Sequence, residues 1–174
     1  MKQVLYTVSA NRPLTADVWE MALSGDTSAI TAPGQFINIK LEGLYLRRPI
    51  SVCRWDETGL TILYKVVGRG TEAMTRLTPG AVLDTLSGLG NGYDVAACPD
   101  HVTVVGGGVG VPPLYGLARA LVAAGKRVHA ILGFNTKSEI FYEEEFRALG
   151  AEVTVTTADG RYGTKGFVTA AMGS

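Results

Sequence analysis

The residues of this chain able to do chemistry are mostly glycines and arginines. Gly106-Gly107-Gly108-Val109-Gly110-Val111-Pro112-Pro113 lies between a short apolar run and a stretch of helical spacing. Glycines at such a turn let the backbone approach a phosphate, and the helix behind it offers unpaired N–H groups and a positive end. Pro112 and Pro113 begin a helix without wasting a donor. The spacing is not the G-x-G-x-x-G fingerprint, so a tight turn in a small α/β domain is the plain alternative. Arg47 and Arg48 precede an apolar run that contains Ser51. An arginine fork can grip a pyrophosphate bidentately, and Arg48 is the candidate. Arg47 is expected to be a solvated strand end. Gly68-Arg69-Gly70-Thr71 is a second glycine turn feeding a helix start, either an anion site or a capped surface helix. Ser87 to Tyr93 holds a third cluster, either a loop lying close to a flat ligand or a crossing between domains. No Ser–His–Asp set and no paired carboxylates stand out, which argues against hydrolysis. His101, His129 and the run Glu143-Glu144-Glu145 read as structural or solvated. Tyr64 and Trp55 read as packing residues, and Cys53 has no thiol partner in register.

The elements that position these residues fall into two rhythms. Up to about Ala97 the chain reads as strands: Val4 to Ser9, Val18 to Leu23, Gly34 to Lys40, Arg48 to Cys53 and Leu60 to Val67, with turns at Pro33-Gly34, Asp56 to Gly59 and Pro79-Gly80. Short strands with glycine turns predict a closed antiparallel barrel or a sandwich. One short helix, Glu72 to Leu77 with Thr71 as N-cap, interrupts them. From His101 the pattern becomes strand, glycine turn, helix (Pro113 to Ala124), strand (Val128 to Gly133), helix (Glu139 to Leu149) and strand (Val153 to Thr157). That alternation predicts a parallel, doubly wound sheet. The expected domains are therefore a β-barrel over residues 1–98 and an α/β domain over 99–174.

Composition limits the class. Among 174 residues, 16 Lys and Arg balance 16 Asp and Glu. A neutral surface gives no general electrostatic support for nucleic-acid binding. No stretch approaches a membrane span, and the N-terminus does not read as a signal peptide. The two cysteines, Cys53 and Cys98, cannot build a tetrathiolate metal or iron–sulfur site within one chain. A reduced, cytoplasmic protein is expected.

Taken together, four stretches resemble the ferredoxin–NADP reductase-like flavoproteins, and more closely the electron-transfer subunits of NAD-dependent (type B) dihydroorotate dehydrogenases. Arg47-Arg48-Pro49-Ile50-Ser51-Val52 resembles the family's Arg-x-Tyr-Ser flavin motif, with Ile50 at the tyrosine position. Leu63 to Thr71 resembles the segment that passes the flavin and ends at the FAD phosphates. Gly88-Leu89-Gly90-Asn91-Gly92 resembles its Gly-Pro-Leu-Gly-Asn-Gly loop, and Gly106 to Leu114 its nucleotide loop. The resemblance implies that Arg48 clamps the FAD pyrophosphate, with Pro49 and Ile50 in the same motif and Ser51 near the reactive edge of the ring. It further implies that Tyr64, Lys65 and Val66 run beside the isoalloxazine or ribityl portion, and that Gly70 and Thr71 cap the phosphates. Gly107, Gly108 and Gly110 are then expected to cradle NAD(H). Asn135, in Gly133-Phe134-Asn135, stands where many relatives carry an arginine, which favours NAD over NADP.

The implied chemistry is hydride transfer between nicotinamide and flavin, followed by electron transfer to or from an iron–sulfur centre. The implied partner is a flavin-containing catalytic subunit that oxidises dihydroorotate to orotate. A reductase subunit of a hydrogenase, sulfide or ferredoxin system, and a non-catalytic flavin-binding module, are the alternatives. Family members continue into a cysteine cluster for a [2Fe–2S] centre and a further strand beside the first strand of the sheet. Neither is found here, so the chain is expected to be truncated or completed by something else, with Val102 to Val105 as an apolar edge.

Overall fold

The computed structural model describes residues 1–172. Two compact units follow one another, Met1–Tyr93 and Asp94–Ser174.

The first unit is the expected antiparallel barrel. Its strands are β1 (Lys2–Pro13), β2 (Val18–Ser24), β3 (Phe36–Ile39), β4 (Arg48–Trp55), β5 (Gly59–Lys65) and β6 (Val82–Leu89). They close in the order β1-β2-β5-β4-β3-β6. Alternate side chains enter the interior, as a pleated strand requires; Tyr6, Met21, Ile37, Ile39 and Ile62 are wholly buried there. The last strand escaped the sequence reading for a physical reason. Its inward positions include Thr85 and Ser87, which break the apolar alternation. Both are satisfied inside the wall: Thr85 Oγ1 donates to the Val4 carbonyl at 2.9 Å, and Ser87 Oγ lies 3.0 Å from the Tyr6 hydroxyl. β1 also runs beyond the expected Val4 to Ser9, because its ends pair with β6 and β2.

Arg47 is not the solvated strand end that was expected. Its guanidinium reaches Asp84 Oδ2 at 3.1 Å and the carbonyls of Asp84 and Asn38 at 3.0 and 3.3 Å. It therefore fastens β3 to β6, and its donated hydrogen bonds hold the Asp84 carboxyl below the ordinary range.

After β5 the chain makes α1 (Arg69–Thr75). Its N-cap is Gly68, not Thr71. Thr71 is the third helical residue, and its hydroxyl accepts from the Val67 and Gly68 N–H groups at 3.0 and 3.3 Å. The threonine thus caps the turn from inside, which shifts the helix start three residues earlier than a simple N-cap reading gives.

The second unit is a parallel sheet with helices, in the strand order β10-β9-β8-β7. Its strands are β7 (His101–Gly107), β8 (Arg127–Phe134), β9 (Glu152–Thr157) and the two-residue β10 (Thr164–Lys165). Among the described residues β7 pairs with β8 alone, so Val102 to Val105 lie on a sheet edge, as expected. The small strand on the opposite edge was not expected.

Helix α2 (Val111–Ala123) begins before Pro113 because Gly110 caps it and both prolines fall in the first turn, where no N–H is needed. It ends in a Schellman turn. Gly125, at φ 77°, donates to the Val122 carbonyl at 2.9 Å, and Lys126 donates to Leu121 at 3.0 Å. Glu139 to Leu149 does not form one helix. A 3-10 turn covers Lys137–Glu139, and α3 is Glu143–Ala148, preceded by Tyr142 in the left-handed region at φ 65°. The Tyr142 ring packs edge-on against Tyr115 with centroids 5.0 Å apart. Burial of the two aromatics Phe141 and Tyr142 breaks the helical period there.

Candidate functional site

In the barrel, β4 and β5 are antiparallel neighbours, so the start of one lies at the same end as the finish of the other. Their register runs from Val52↔Ile62 to Trp55↔Leu60. Residues Arg48 to Ser51 register with β3 only. The wall is therefore unzipped between the first half of β4 and the segment Tyr64 to Val66. Backbone groups facing that gap are available to a flat ligand with hydrogen-bonding edges.

The gap leads to an arginine. The Arg48 side chain lies across the α-carbon of Gly70: a Cβ built there would fall 2.1 Å from Arg48 Nε and 2.7 Å from Cζ. The guanidinium also donates to the Leu46 carbonyl, and among the described residues it has no carboxylate partner. Arg48 and Gly70, 22 positions apart by numbering, are thus brought to one place. The first-turn N–H groups of α1 have no intrahelical partner. Since α1 has only seven residues, the positive charge comes chiefly from Arg48.

Three of the candidate residues are engaged in the barrel, Tyr64 and Lys65 through their side chains and Val66 through its main chain. Tyr64 is 1% exposed, and its hydroxyl donates to Asn11 Oδ1 at 3.0 Å. Burial pushes its phenol up to about 12. Lys65 Nζ pairs with Asp17 Oδ2 at 3.0 Å, and the Val66 N–H donates to the Asp17 carbonyl at 2.7 Å. Only main-chain groups of Tyr64 and Lys65 remain for a ligand. The Thr71 hydroxyl is likewise spent, donating to the Gly68 carbonyl at 3.1 Å. Pro49 is exposed, while Ile50 and Ser51 are half-buried.

In the second unit the glycine turn joins β7 to α2, and its glycines have different reasons to be there. A Cβ at Gly106 would fall 2.5 Å from Leu114 Cδ1 and 3.2 Å from the Gly110 carbonyl oxygen, so the leucine end would have to shift. Gly107 approaches the Gly133 carbonyl, with 3.3 Å for the same construction, and Gly108 requires φ 50°. Gly110 has an ordinary backbone and nothing within 4 Å of a built Cβ. Neither packing nor strain demands glycine at that position, which opens the first turn of the 13-residue α2 to approach. At the same ends of the strands, Thr156 pairs in register with Gly133, and its buried Oγ1 has no hydrogen-bond partner among the described residues.

The cluster from Ser87 to Tyr93 turns back on its own unit. Gly88, Gly90 and Gly92 all have positive φ. The loop is tied down by Gln35, whose Nε2 donates to the Gly90 carbonyl at 3.0 Å. His129 Nε2 lies 2.9 Å from Thr154 Oγ1, and His101 contacts Arg127, which fits their structural reading. Glu143 departs from the solvated face expected of it. It is 8% exposed, and its Oε1 accepts from Arg147 Nη2 at 2.9 Å and the Tyr162 hydroxyl at 3.2 Å. An arginine four residues after a glutamate was the available signal. Asn135 Nδ2 donates to Glu139 Oε2 at 2.9 Å, and Lys137 lies over the Tyr162 ring, 5.2 Å from its centroid.

Among the described residues, no group of three or more His, Cys, Asp or Glu is placed to hold a metal ion. No helix among them is long and apolar enough to cross a membrane.

A closed six-stranded barrel followed by a parallel sheet with a glycine turn after its first strand is the architecture of the ferredoxin–NADP reductase-like flavoproteins. A structure described as an NADH-dependent reduced ferredoxin-NADP oxidoreductase, from work on flavin-based electron bifurcation, matches with TM-score 0.85 and 31% identity, covering 97% of this chain and 62% of that one. The ferredoxin reductase of carbazole 1,9a-dioxygenase shares the fold at TM-score 0.86 and 23% identity, covering 98% of this chain and 56% of the other. Residues 104–173 match the family described as "Oxidoreductase NAD-binding domain". The "Dihydroorotate dehydrogenase B (NAD(+)), electron transfer subunit" of Geobacillus sp. (strain WCH70) is 44% identical over 97% of this chain and 68% of its own length. The same-named subunit of Fusobacterium nucleatum subsp. nucleatum is 44% identical over 94% of this chain and 66% of its own length. The chain belongs to the family of dihydroorotate dehydrogenase B electron transfer subunits and spans about two thirds of these relatives.

Proposed function

We propose that this chain binds FAD on its barrel and NAD(H) on its parallel sheet, and passes electrons between them. The observation that carries the reading is the meeting of Arg48 with Gly70 beside the unzipped stretch of β4 and β5. A guanidinium without a carboxylate partner, next to unpaired N–H groups, suits a pyrophosphate. The cradle would be filled by any Cβ at Gly70, so the residues present fit the group. Arg48, Gly70 and Thr71 would hold the phosphates, the two amino acids other than arginine through their N–H groups. Pro49, Ile50, Ser51 and the main chain of Tyr64, Lys65 and Val66 would border the ring. When bound, FAD would supply the site of hydride exchange. The protein's part is to fix the ring's height and keep its edge within reach.

Gly107, Gly108 and Gly110 would admit the nucleotide phosphates to the first turn of α2, whose open face at Gly110 supports this. NAD is favoured over NADP. Asn135 offers no cation, its amide is held by the Glu139 carboxylate, and Lys137 is turned onto Tyr162.

The physiological partner we infer is a catalytic dehydrogenase subunit that oxidises dihydroorotate, in the cytoplasm. A [2Fe–2S] centre, if it serves this system, draws its ligands from outside the described residues, which hold too few cysteines. The test is an absorption spectrum of the purified chain before and after anaerobic NADH. Oxidised-flavin bands that bleach are expected. A protein that stays colourless after incubation with FAD would overturn the reading.

A further inference from the structure

The helix α1 has seven residues, too few to hold together in water on its own. Its position is set by what it is tied to. One tie is Met74, 0% exposed in the barrel core. The other is Asn11, in β1. Asn11 Nδ2 donates to the Met74 carbonyl at 2.9 Å and to the Leu77 carbonyl at 3.0 Å. Its Oδ1 accepts from the Tyr64 hydroxyl at 3.0 Å. Both amide hydrogens and the amide oxygen are used, which fixes the orientation of the group: turned over, it would set oxygen against two carbonyls.

The carbonyls at a helix C-terminus lack intrahelical partners. Here the Met74 carbonyl accepts from the Leu77 N–H at 3.1 Å, and the Asn11 amide, 63 and 66 positions earlier in sequence, adds a second bond to Met74 and one to Leu77 just past the helix. The opposite end of the same helix carries Gly70 and Thr71, and Arg48 lies across Gly70. A helix this short is a rod of about 10 Å. Displacement of its last turn therefore displaces its first. Tyr64 joins the arrangement from β5, whose end borders the unzipped stretch of the barrel.

We propose that Asn11 is a positioning residue for dinucleotide binding: by holding the last turn of α1, it sets where Gly70 meets Arg48. This rests on the FAD reading above. Asn11 touches no ligand and acts through the helix.

The experiment is a double-mutant cycle on FAD affinity, read by flavin fluorescence, using wild type, Asn11→Ala, Arg48→Ala and the double variant. Thermal unfolding of each shows that the titrated protein is folded. Asn11→Ala is expected to weaken FAD about tenfold in the wild-type background. In the Arg48→Ala background the same change is expected to cost less than about threefold, since the contact it aligns is already gone. Tyr64→Phe keeps the ring in the core and removes the hydrogen bond that the amide oxygen accepts. It gives a smaller loss of the same kind and carries the test if Asn11→Ala does not fold. Unchanged FAD affinity in both Asn11→Ala and Tyr64→Phe overturns the proposal. So does a full loss that persists without Arg48, which is the mark of a purely structural staple. Wild-type protein that binds no FAD instead overturns the FAD reading, and this inference with it.

Discussion

Arg48 lies against the bare α-carbon of Gly70, so closely that a single methyl group there would fall 2.1 Å from its Nε. The two residues come from β4 and from the helix after β5.

Gly70→Ala is expected to push the guanidinium away while leaving the fold intact, because the position is helical and alanine favours helix. FAD affinity should fall about tenfold or more, with an unchanged or higher unfolding temperature. Arg48→Ala should show the same dissociation. Titration with FAD beside a thermal melt separates the two quantities, and a normal affinity in Gly70→Ala would remove Arg48 from the site.

Gly163 and Gly150 make an internal comparison in the second unit. Both have positive φ, 62° and 89°. A Cβ at Gly163 would fall 2.1 Å from the Val155 carbonyl, whereas nothing lies within 4 Å at Gly150. Gly150→Ala should cost about 1 kcal/mol, the left-handed penalty alone. Gly163→Ala should cost roughly 3 kcal/mol or more, since backbone must also move. Urea unfolding of the two variants checks the order.

The Tyr64 phenol, pushed up to about 12 by burial, gives stability a dependence on alkaline pH. Free tyrosine ionises near pH ~10. Above that, the unfolded chain sheds a proton that the folded chain keeps, so unfolding gains. The contribution is complete below pH ~10 and is lost as pH climbs towards about 12. Tyr6 is also raised by burial and acts with the same sign. Tyr64→Phe should flatten the alkaline loss, measured as unfolding free energy against pH.

Glu143 accepts from both Arg147 and Tyr162, and its hydrogen bond is the main reason the Tyr162 phenol is raised. Glu143→Gln should let Tyr162 ionise at lower pH, followed by phenolate absorbance. An unmoved Tyr162 titration would mean that the contact is not kept in solution.

The barrel and the parallel sheet were legible because their strands alternate, or are uniformly apolar, with glycine turns between them. The Arg48 and Gly70 motifs were legible only as separate stretches. Their meeting depends on the antiparallel pairing of β4 and β5, which local spacing does not state. β6 was hidden because Thr85 and Ser87 point inward and satisfy their hydroxyls across the wall. Thr71 misled because a threonine before a helical run looks the same whether it is the N-cap or the third helical residue. Glu143 was read with its neighbours as a charged run, although only Glu144 and Glu145 are exposed. Asn11 gave no signal at all: its three partners lie more than 50 positions away.

The closure of the barrel has a consequence for how the chain comes off the ribosome. Lys2 pairs with Ser87 and Thr7 with Val82, so the barrel's first strand is completed only when its last is present. At about 5–20 residues per second, β1 spends several seconds with one side unpaired while β2 to β5 are synthesised. Through that interval Val4 and Tyr6 lack their partners Thr85 and Leu83. Until β6 joins, that free edge of β1 is able to pair with another chain.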